Sequence, residues 1–206
     1  MEEKSLVILG YSGHSFGCIE VARQSGFIIL GYCEPSEKAE NPYDLSYLGY
    51  EDDVDVNQAA FIAVGDNKIR RRIYRKLSLK NNFLKTSLIH SSAIVSTSSL
   101  IQEQTYLSAG VIINPKAKIG TACIINTGAT IEHDCVVDQF SHVAPGAVLC
   151  GNVSVGTGCM IGANAVIKEG VKIGDYVTVG AGSVVLKDID SNTVVVGNPS
   201  KKLLGL

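Results

Sequence analysis

The sequence lacks a strong charge imbalance. Its 206 residues carry 18 Lys and Arg against 20 Asp and Glu, which gives a formal net charge of −2 at pH 7. A protein that binds nucleic acid or an anionic membrane through its surface potential needs an excess of basic residues. The composition therefore argues against both as partners.

The chain also lacks a long apolar run. No stretch approaches the roughly 20 apolar residues that cross a bilayer. The N-terminus shows no basic segment followed by a short apolar one, which is the pattern of a secretory signal. We therefore expect a soluble, cytoplasmic protein.

An aliphatic residue recurs at every sixth position across the C-terminal half of the chain. A period of six excludes an α-helix, because six is not a multiple of 3.6 and the stripe would wind around the helix. Such a repeat instead indicates stacked copies of one small structural unit. The positions are Ile89, Val95, Ile101, Leu107, Ile113, Ile119, Ile125, Ile131, Val137, Val143, Leu149, Val155, Ile161, Ile167, Ile173, Val179 and Val185.

A second register of mostly small residues lies four positions after each aliphatic residue. Each member stands two residues before the next aliphatic position, and residues spaced by two face the same side of a β-strand. The two remaining positions that turn the chain are often Gly, Asn, Asp or Pro. The pattern predicts a triangular parallel β-helix with three hexads per coil. The second register comprises Ala93, Ser99, Thr105, Val111, Ala117, Cys123, Ala129, Cys135, Ser141, Ala147, Val153, Cys159, Ala165, Val171, Val177 and Ser183.

The six cysteines show no spacing typical of metal sites. Cys123, Cys135 and Cys159 occupy the small inward register, where a thiol fills about the space of an alanine. We therefore expect structural thiols rather than disulfide partners or metal ligands.

The N-terminal part alternates apolar runs with helical patterns. Residues 5–9, 27–32 and 59–65 predict buried strands, and helical segments are predicted up to Ser25 and from Asn67 to about Lys80. This alternation indicates a small parallel sheet. We expect a Rossmann-like α/β domain over residues 1–86 and a β-helix domain with a C-terminal tail over residues 87–206.

Polar or glycine-containing segments follow all three predicted strands. They comprise residues 10–14, residues 34–35 and residues 65–67. Ligands of parallel sheets bind beyond the carboxyl ends of the strands, and a glycine loop that opens a helix can hold phosphate with its N–H groups. The spacing differs from G-x-G-x-x-G, so ordinary tight turns stay an alternative to the nucleotide-sugar site that we favour.

The second predicted helix carries a run of basic residues, which could form a phosphate site. A charge run on one helix is more typically a solvated face. We therefore predict that the run faces solvent. It consists of Arg70, Arg71, Arg72, Arg75 and Lys76.

Two of the four histidines are candidates for acid–base chemistry. His133 stands at a predicted corner beside Asp134, and His142 precedes Val143 and so points outward. Imidazole titrates near neutral pH, and an adjacent carboxylate stabilises its charged form and fixes its tautomer. We favour His133 as a general base, the alternative being two ordinary surface histidines.

Four segments resemble one known family of hexapeptide-repeat enzymes. Residues 126–143, with Glu-His133-Asp134 and Phe-Ser-His142, resemble the catalytic segment of the sialic-acid O-acetyltransferase/nucleotide-sugar N-acetyltransferase family. Residues 10–14 and 61–70 resemble its two nucleotide-sugar loops, and residues 196–201 resemble the closing motif of hexapeptide acyltransferases generally. The best-known branch of the family acetylates UDP-4-amino-sugars in the bacillosamine pathway.

The resemblance implies a left-handed β-helix and direct transfer from acetyl-CoA to a nucleotide-linked amino-sugar, without a metal. It also implies a homotrimer that holds acetyl-CoA in the groove between neighbouring β-helices. His133 matches the general base and Asp134 its acidic neighbour. The acetyl-CoA contacts match His142, Ala163 and Ala181, and the nucleotide-sugar contacts match Ser12, Gly13, His14, Glu34, Pro35 and Gly65.

Three other functions use the same solenoid. A γ-type carbonic anhydrase needs three histidine ligands, whereas His133 and His142 are two and His90 lies more than two coils away. O-acetylation of a sialic acid or related sugar would use the same base and co-substrate, so it stays open. A non-catalytic trimer that binds nucleotide-sugars also stays open.

Overall fold

The computed structural model describes residues 4–53, 59–79 and 86–203 as an α/β part followed by a β-solenoid. The predicted fold class is confirmed. The predicted end of the second helix at Lys80 lies outside the described residues. The elements of the α/β part are β1 (Lys4–Leu9), α1 (Gly13–Gln24), β2 (Phe27–Cys33), β3 (Ala60–Ile62) and α2 (Asn67–Ser78).

The α/β part is built on a three-stranded parallel sheet. Its strand order is β2-β1-β3, and β1 pairs in parallel with both neighbours. Residues 6–9 of β1 are at most 1% exposed, as expected for a strand covered on both faces. Because the strands run in one direction, the segments that follow them meet at one edge of the sheet.

Both helices begin at that edge with a polar residue. The Ser15 hydroxyl accepts from the Ser12 N–H at 2.8 Å and donates to the Ser12 carbonyl at 2.7 Å. The Asp66 carboxylate accepts from the Ile69 N–H at 2.8 Å, which caps α2. Each helix has 12 residues. In the described part of the chain, no helix is long and apolar enough to span a bilayer.

The solenoid stacks very short strands into three sheets. Partners are separated by three hexads, so that Ile125 pairs with Val143, and the predicted coil is confirmed. The strands are β4 (Leu88–Ile89), β5 (Ile94–Val95), β6 (Leu100–Ile101), β7 (Tyr106–Leu107), β8 (Ile112–Ile113), β9 (Lys118–Ile119), β10 (Ile124–Ile125), β11 (Thr130–Ile131), β12 (Val136–Val137), β13 (His142–Val143), β14 (Val148–Leu149), β15 (Ser154–Val155), β16 (Met160–Ile161), β17 (Val166–Ile167), β18 (Lys172–Ile173), β19 (Thr178–Val179), β20 (Val184–Val185), β21 (Val194–Val196) and β22 (Lys201–Lys202).

The three sheets form the faces of a triangular prism. The domain face (β4, β7, β10, β13, β16, β19, β21 and β22) packs against the α/β part through Leu88, Tyr106 and Ile124. The apolar face contains β5, β8, β11, β14, β17 and β20, and the polar face contains β6, β9, β12, β15 and β18. In chain order, the first edge joins the domain and apolar faces, the second joins the apolar and polar faces, and the third joins the polar and domain faces.

The interior is filled by the two registers that the sequence predicts. From Leu107 to Val185, the aliphatic and the small inward residues are all at most 4% exposed. Cys123, Cys135 and Cys159 lie inside and donate to carbonyl oxygens of the following hexads at 3.0–3.1 Å. The predicted inward placement of these three cysteines is therefore confirmed.

At each corner, the third residue after the inward aliphatic one has a left-handed backbone conformation. Every sixth residue from Gln104 to Gly182 has a positive φ, including Asp134 (58°), Phe140 (60°) and Tyr176 (55°). Side chains rarely adopt this conformation, so the stacked coils must hold it in place. The corner geometry therefore fixes where each side chain on an edge is presented.

Candidate active site

His133 and Asp134 form a hydrogen-bonded pair at the second edge, immediately after β11. Nδ1 of His133 lies 2.9 Å from Oδ2 of Asp134. The hydrogen bond to His133, and then the charge of Lys116, lower the pKa of the Asp134 carboxyl. An ionised carboxylate only accepts, so Nδ1 must donate, and Nε2 of the neutral ring is then the proton acceptor.

Gly151 lies directly against the imidazole ring of His133. A Cβ built on Gly151 would lie 2.7 Å from both Cε1 and Nε2 of that ring. Only a glycine therefore lets the ring occupy its observed place. The sequence shows Gly151 as an ordinary corner glycine, and the signal that could have identified it is its spacing of three hexads from His133.

His142 points outward from β13, as predicted, but the α/β part covers it. The Nδ2 group of Asn126 lies 3.2 Å from its Nε2 atom. Burial, then the charges of Arg70 and His14, lower the pKa of His142 to about 4. His142 is therefore neutral at pH 7, and Asn126 is a contact that the sequence reasoning missed.

His14 approaches the same interface from the first turn of α1. Its ring packs edge-on against Tyr106 with centroids 5.3 Å apart, and Nε2 lies 3.6 Å from the Cys18 sulfur. Burial, then the charge of Arg70, lower the pKa of His14 to about 4. The structure thus brings His14 close to His142, although the sequence assigned them to different ligands.

The predicted nucleotide-sugar residues lie along the carboxyl edge of the three-stranded sheet. Ser12, Gly13 and Pro35 are exposed there. One oxygen of Glu34 accepts from the Tyr11 N–H at 2.7 Å, so this carboxylate also holds the glycine loop in place. A cleft of about 590 Å³ opens beside Gly65, between the start of α2 and the solenoid.

Ala163 and Ala181 lie at corners of the first edge, after β16 and β19 respectively. The first and second edges bound opposite sides of the apolar face. Within one chain, the structure therefore does not bring these alanines together with His133.

The prediction that the basic run of α2 faces solvent is wrong for two of its arginines. Arg70 is 1% exposed, and Arg71 is half-buried with its side chain hydrogen-bonded to the Tyr176 hydroxyl. Arg72 and Arg75 are exposed as predicted. The reason is that the first turn of α2 packs against the third edge of the solenoid.

The described residues contain no cluster of three or more His, Cys, Asp or Glu side chains that could hold a metal ion. His133 lies on the second edge, whereas His142 lies on the domain face. The ligand set that a carbonic anhydrase would need is therefore not formed within the described part of this chain.

Comparison with known proteins assigns these features to one family. Residues 5–77 match the PglD N-terminal domain, and residues 152–187 match the bacterial transferase hexapeptide (six repeats). The acetyltransferase domain of PglB from Neisseria gonorrhoeae is 31% identical, with a TM-score of 0.91 over 98% of this chain and 100% of that one. The chain belongs to the sialic-acid O-acetyltransferase/nucleotide-sugar N-acetyltransferase family of hexapeptide-repeat transferases.

Structures of other family members contain ligands. The same PglB domain has been solved with acetyl coenzyme A. PerB from Caulobacter crescentus, which is 33% identical with a TM-score of 0.89 over 97% of both chains, was solved with CoA and GDP-perosamine. A histidine-to-alanine variant of GDP-perosamine N-acetyltransferase from the same organism, 32% identical over 97% of this chain and 96% of that one (TM-score 0.88), was solved with the same ligands. Membership of the family makes this chain an acyltransferase, and the family predicted from the sequence is confirmed.

Replacing Gly151 with alanine should impair turnover without unfolding the protein. The new Cβ would displace the ring of His133, the general base that we predict from the sequence, and misplacing such a group costs about tenfold to 100-fold in rate. Steady-state kinetics of Gly151→Ala should show a lower kcat, while its melting temperature stays near that of the native protein. In a His133→Ala background, the same change should have no further effect on rate, and an unchanged kcat in the single variant would contradict the role of Gly151.

Acid pH should destabilise the interface that contains His14 and His142. Their pKa values are about 4 in the fold, whereas an unfolded chain has histidines near 6.5. The unfolded state therefore takes up protons first as the pH falls, so the stability contributed by the neutral rings is complete above about 6.5 and is lost toward about 4. Melting temperatures should fall across this window, and less steeply for His142→Gln.

The control for this titration is His90→Gln, which keeps both interface histidines and should retain the native slope. If His142→Gln showed the same slope as the native protein, the buried neutral state of His142 would be refuted.

Proposed function

We propose that the protein transfers the acetyl group of acetyl-CoA to the amino group of a nucleotide-linked amino-sugar, in surface glycan biosynthesis. The observation that carries this proposal is the His133–Asp134 pair, whose free Nε2 atom lies beside Gly151. The ligands of PglB and PerB support the pair of substrates. The sequence resemblance favours a UDP-4-amino-sugar as the acceptor. The reaction would take place in the cytoplasm, where acetyl-CoA is available.

His133 is positioned to act as the general base of a direct transfer. The acceptor nitrogen attacks the thioester carbonyl carbon while Nε2 of His133 takes a proton from it. The C–N bond forms, the C–S bond breaks, and the departing CoA thiolate regains the proton from the imidazolium. Asp134 holds the ring in the required tautomer throughout and stabilises its transient positive charge.

The inward cysteines support direct transfer over a covalent acetyl-enzyme. Burial raises the pKa of Cys123 to about 12 and that of Cys159 to about 11, and it also raises the pKa of Cys135. A thiol of such high pKa carries almost no thiolate at neutral pH, and the thiolate is the nucleophile. These cysteines therefore lack both the ionisation and the access that an acyl carrier needs.

The apolar face supports a homotrimer. The α/β part covers the domain face, and the polar face presents Lys118 and Lys172. Isolated exposed aliphatic residues are normal, but an aligned stripe indicates an interface. We place this stripe at a three-fold axis between copies of the chain. Its outward residues are Ile94, Ile112, Thr130, Val148, Val166 and Val184.

A trimer of this kind would also complete the active site. With the apolar face at the axis, the second edge of one copy meets the first edge of the next. His133 of one copy would then face the alanine corners at Ala163 and Ala181 of its neighbour. Acetyl-CoA would bind in that groove, and the nucleotide-sugar would extend from the carboxyl edge of the sheet.

A His133→Ala variant should lose at least about 100-fold in kcat, because a positioned base contributes that much to proton transfer. The assay supplies acetyl-CoA with UDP-, GDP- and dTDP-linked 4-amino-sugars, and with CMP-linked and free sialic acid. His90→Ala serves as the matched control and should keep native turnover. Native activity in His133→Ala would favour a non-catalytic role, and acetylation of only the sialic acids would identify an O-acetyltransferase.

Mixing two inactive variants should test the shared site. His133→Ala lacks the base, and Ala163→Arg blocks the predicted acetyl-CoA corner. Random co-refolding in equal amounts should restore about a quarter of the native activity, because one interface in four then combines two intact halves. Each variant refolded alone is the control. No recovery from a mixture that assembles into trimers would show that the site lies within one chain.

A further inference from the structure

Arg70 is a buried charged residue that takes no part in the mechanism described above. It is 1% exposed, and each N–H of its guanidinium donates a hydrogen bond to an uncharged oxygen. The bonds run from Nε to the Ala122 carbonyl (2.8 Å), from Nη1 to the Val64 and Gly65 carbonyls (3.0 Å each), and from Nη2 to Asn67 Oδ1 (2.7 Å) and the Phe140 carbonyl (3.0 Å).

These bonds join two parts of the active site. Val64 and Gly65 follow the carboxyl end of β3, where we expect the nucleotide-sugar to bind. Ala122 and Phe140 are left-handed corner residues of successive coils on the third edge, with φ of 52° and 60°. Arg70 therefore connects the sugar-binding edge of the sheet to the coil that continues directly into His142.

Hydrogen bonds also join the α/β part to the third edge on both sides of Arg70. The Asn67 amide donates to the carbonyls of Gly158 and Cys159, at 3.3 and 2.9 Å. One coil below Ala122, the Gln104 side chain accepts from the Ile62 N–H at 3.0 Å and donates to the Ala60 carbonyl at 2.9 Å. The α/β part is thus aligned along several successive coils, with Arg70 at the centre.

We propose that Arg70 is a positioning residue for acetyl transfer, which fixes the nucleotide-sugar-binding end of β3 relative to His142. This inference rests on the proposed function. A buried charge is costly, and apolar residues of similar volume often hold a fold together as well or better. Five directional bonds to backbone and amide oxygens instead define one relative orientation of the two parts.

The charge of Arg70 also acts on the histidines of the interface. The groups that face His142 are Arg70 from α2, His14 from α1 and Asn126 from the preceding coil. Those that face His14 are Arg70, Cys18 and Tyr106. Burial, and then the charge of the guanidinium, lower the pKa of both rings, so both are neutral at neutral pH.

The test compares Arg70→Met and Arg70→Lys with Arg75→Met, an exposed position on the same helix. With acetyl-CoA and the UDP-4-amino-sugar, kcat of Arg70→Met should fall at least about tenfold. Its dissociation constant for CoA alone, measured by calorimetry, should stay within about threefold, because CoA binds to the solenoid. Arg75→Met should behave as the native protein.

Histidine titration by NMR supplies a readout that does not depend on activity. In Arg70→Met, the midpoints of His14 and His142 should rise by about half a pH unit or more, because a repelling charge is removed. In Arg70→Lys, the midpoints should stay near the native values while kcat still falls, because an ammonium cannot reproduce five planar bonds. If Arg70→Met does not fold, Arg70→Lys decides by its kcat alone: a fall supports the positioning role, and a native kcat overturns it.

Native kcat in a folded Arg70→Met or Arg70→Lys variant, or unshifted histidine midpoints in Arg70→Met, would overturn the role of Arg70. A native protein that acetylates no member of the acceptor panel would instead refute the proposed function. The two failures are therefore distinguishable.

Discussion

The stacking of left-handed corners is the constraint on which the rest of the molecule depends. From Ala122 to Gly182, the N–H of each left-handed corner residue donates to a carbonyl of the preceding coil, as in the bond from Asp134 to Pro115 at 3.1 Å and from Asn152 to His133 at 2.9 Å. A side chain at a corner is therefore held at a fixed height and direction. The close approach of Gly151 to the His133 ring is a direct result, since both occupy the same corner in successive coils.

The interior of the solenoid was predictable because it repeats. Every hexad must place one aliphatic and one small side chain inside, so the period appears in the sequence itself. The corner position of His133 follows from the same count. Its contact with Asp134 does not, because the count fixes the backbone position of a corner residue and leaves the direction of its side chain open. The inward placement of Cys123, Cys135 and Cys159 was also predicted correctly, because their register gave their surroundings before any contact was known.

The outward residues were less predictable because their surroundings depend on docking between distant segments. Arg70 bonds to residues 52 and 70 positions away, so a basic run that looks solvated in the sequence conceals one buried member. His142 points outward, as the six-residue repeat predicts, yet its neutral state results from burial under α1 and α2. Glu34 similarly gained a partner in Tyr11, which no local pattern reveals.

The histidines of the two proposed roles, proton transfer and binding, stand in different environments. His133 lies on an exposed edge and donates to a carboxylate, an arrangement that tolerates a transient positive charge on the ring. His14 and His142 are buried beside Arg70, where protonation is opposed by both desolvation and repulsion. At neutral pH both rings are therefore neutral, and each Nε2 atom already has a protein neighbour, the Cys18 sulfur for His14 and the Asn126 amide for His142. The division follows from position in the fold, because His133 stands on an edge that the α/β part leaves open, whereas His14 and His142 lie in the interface between the α/β part and the solenoid.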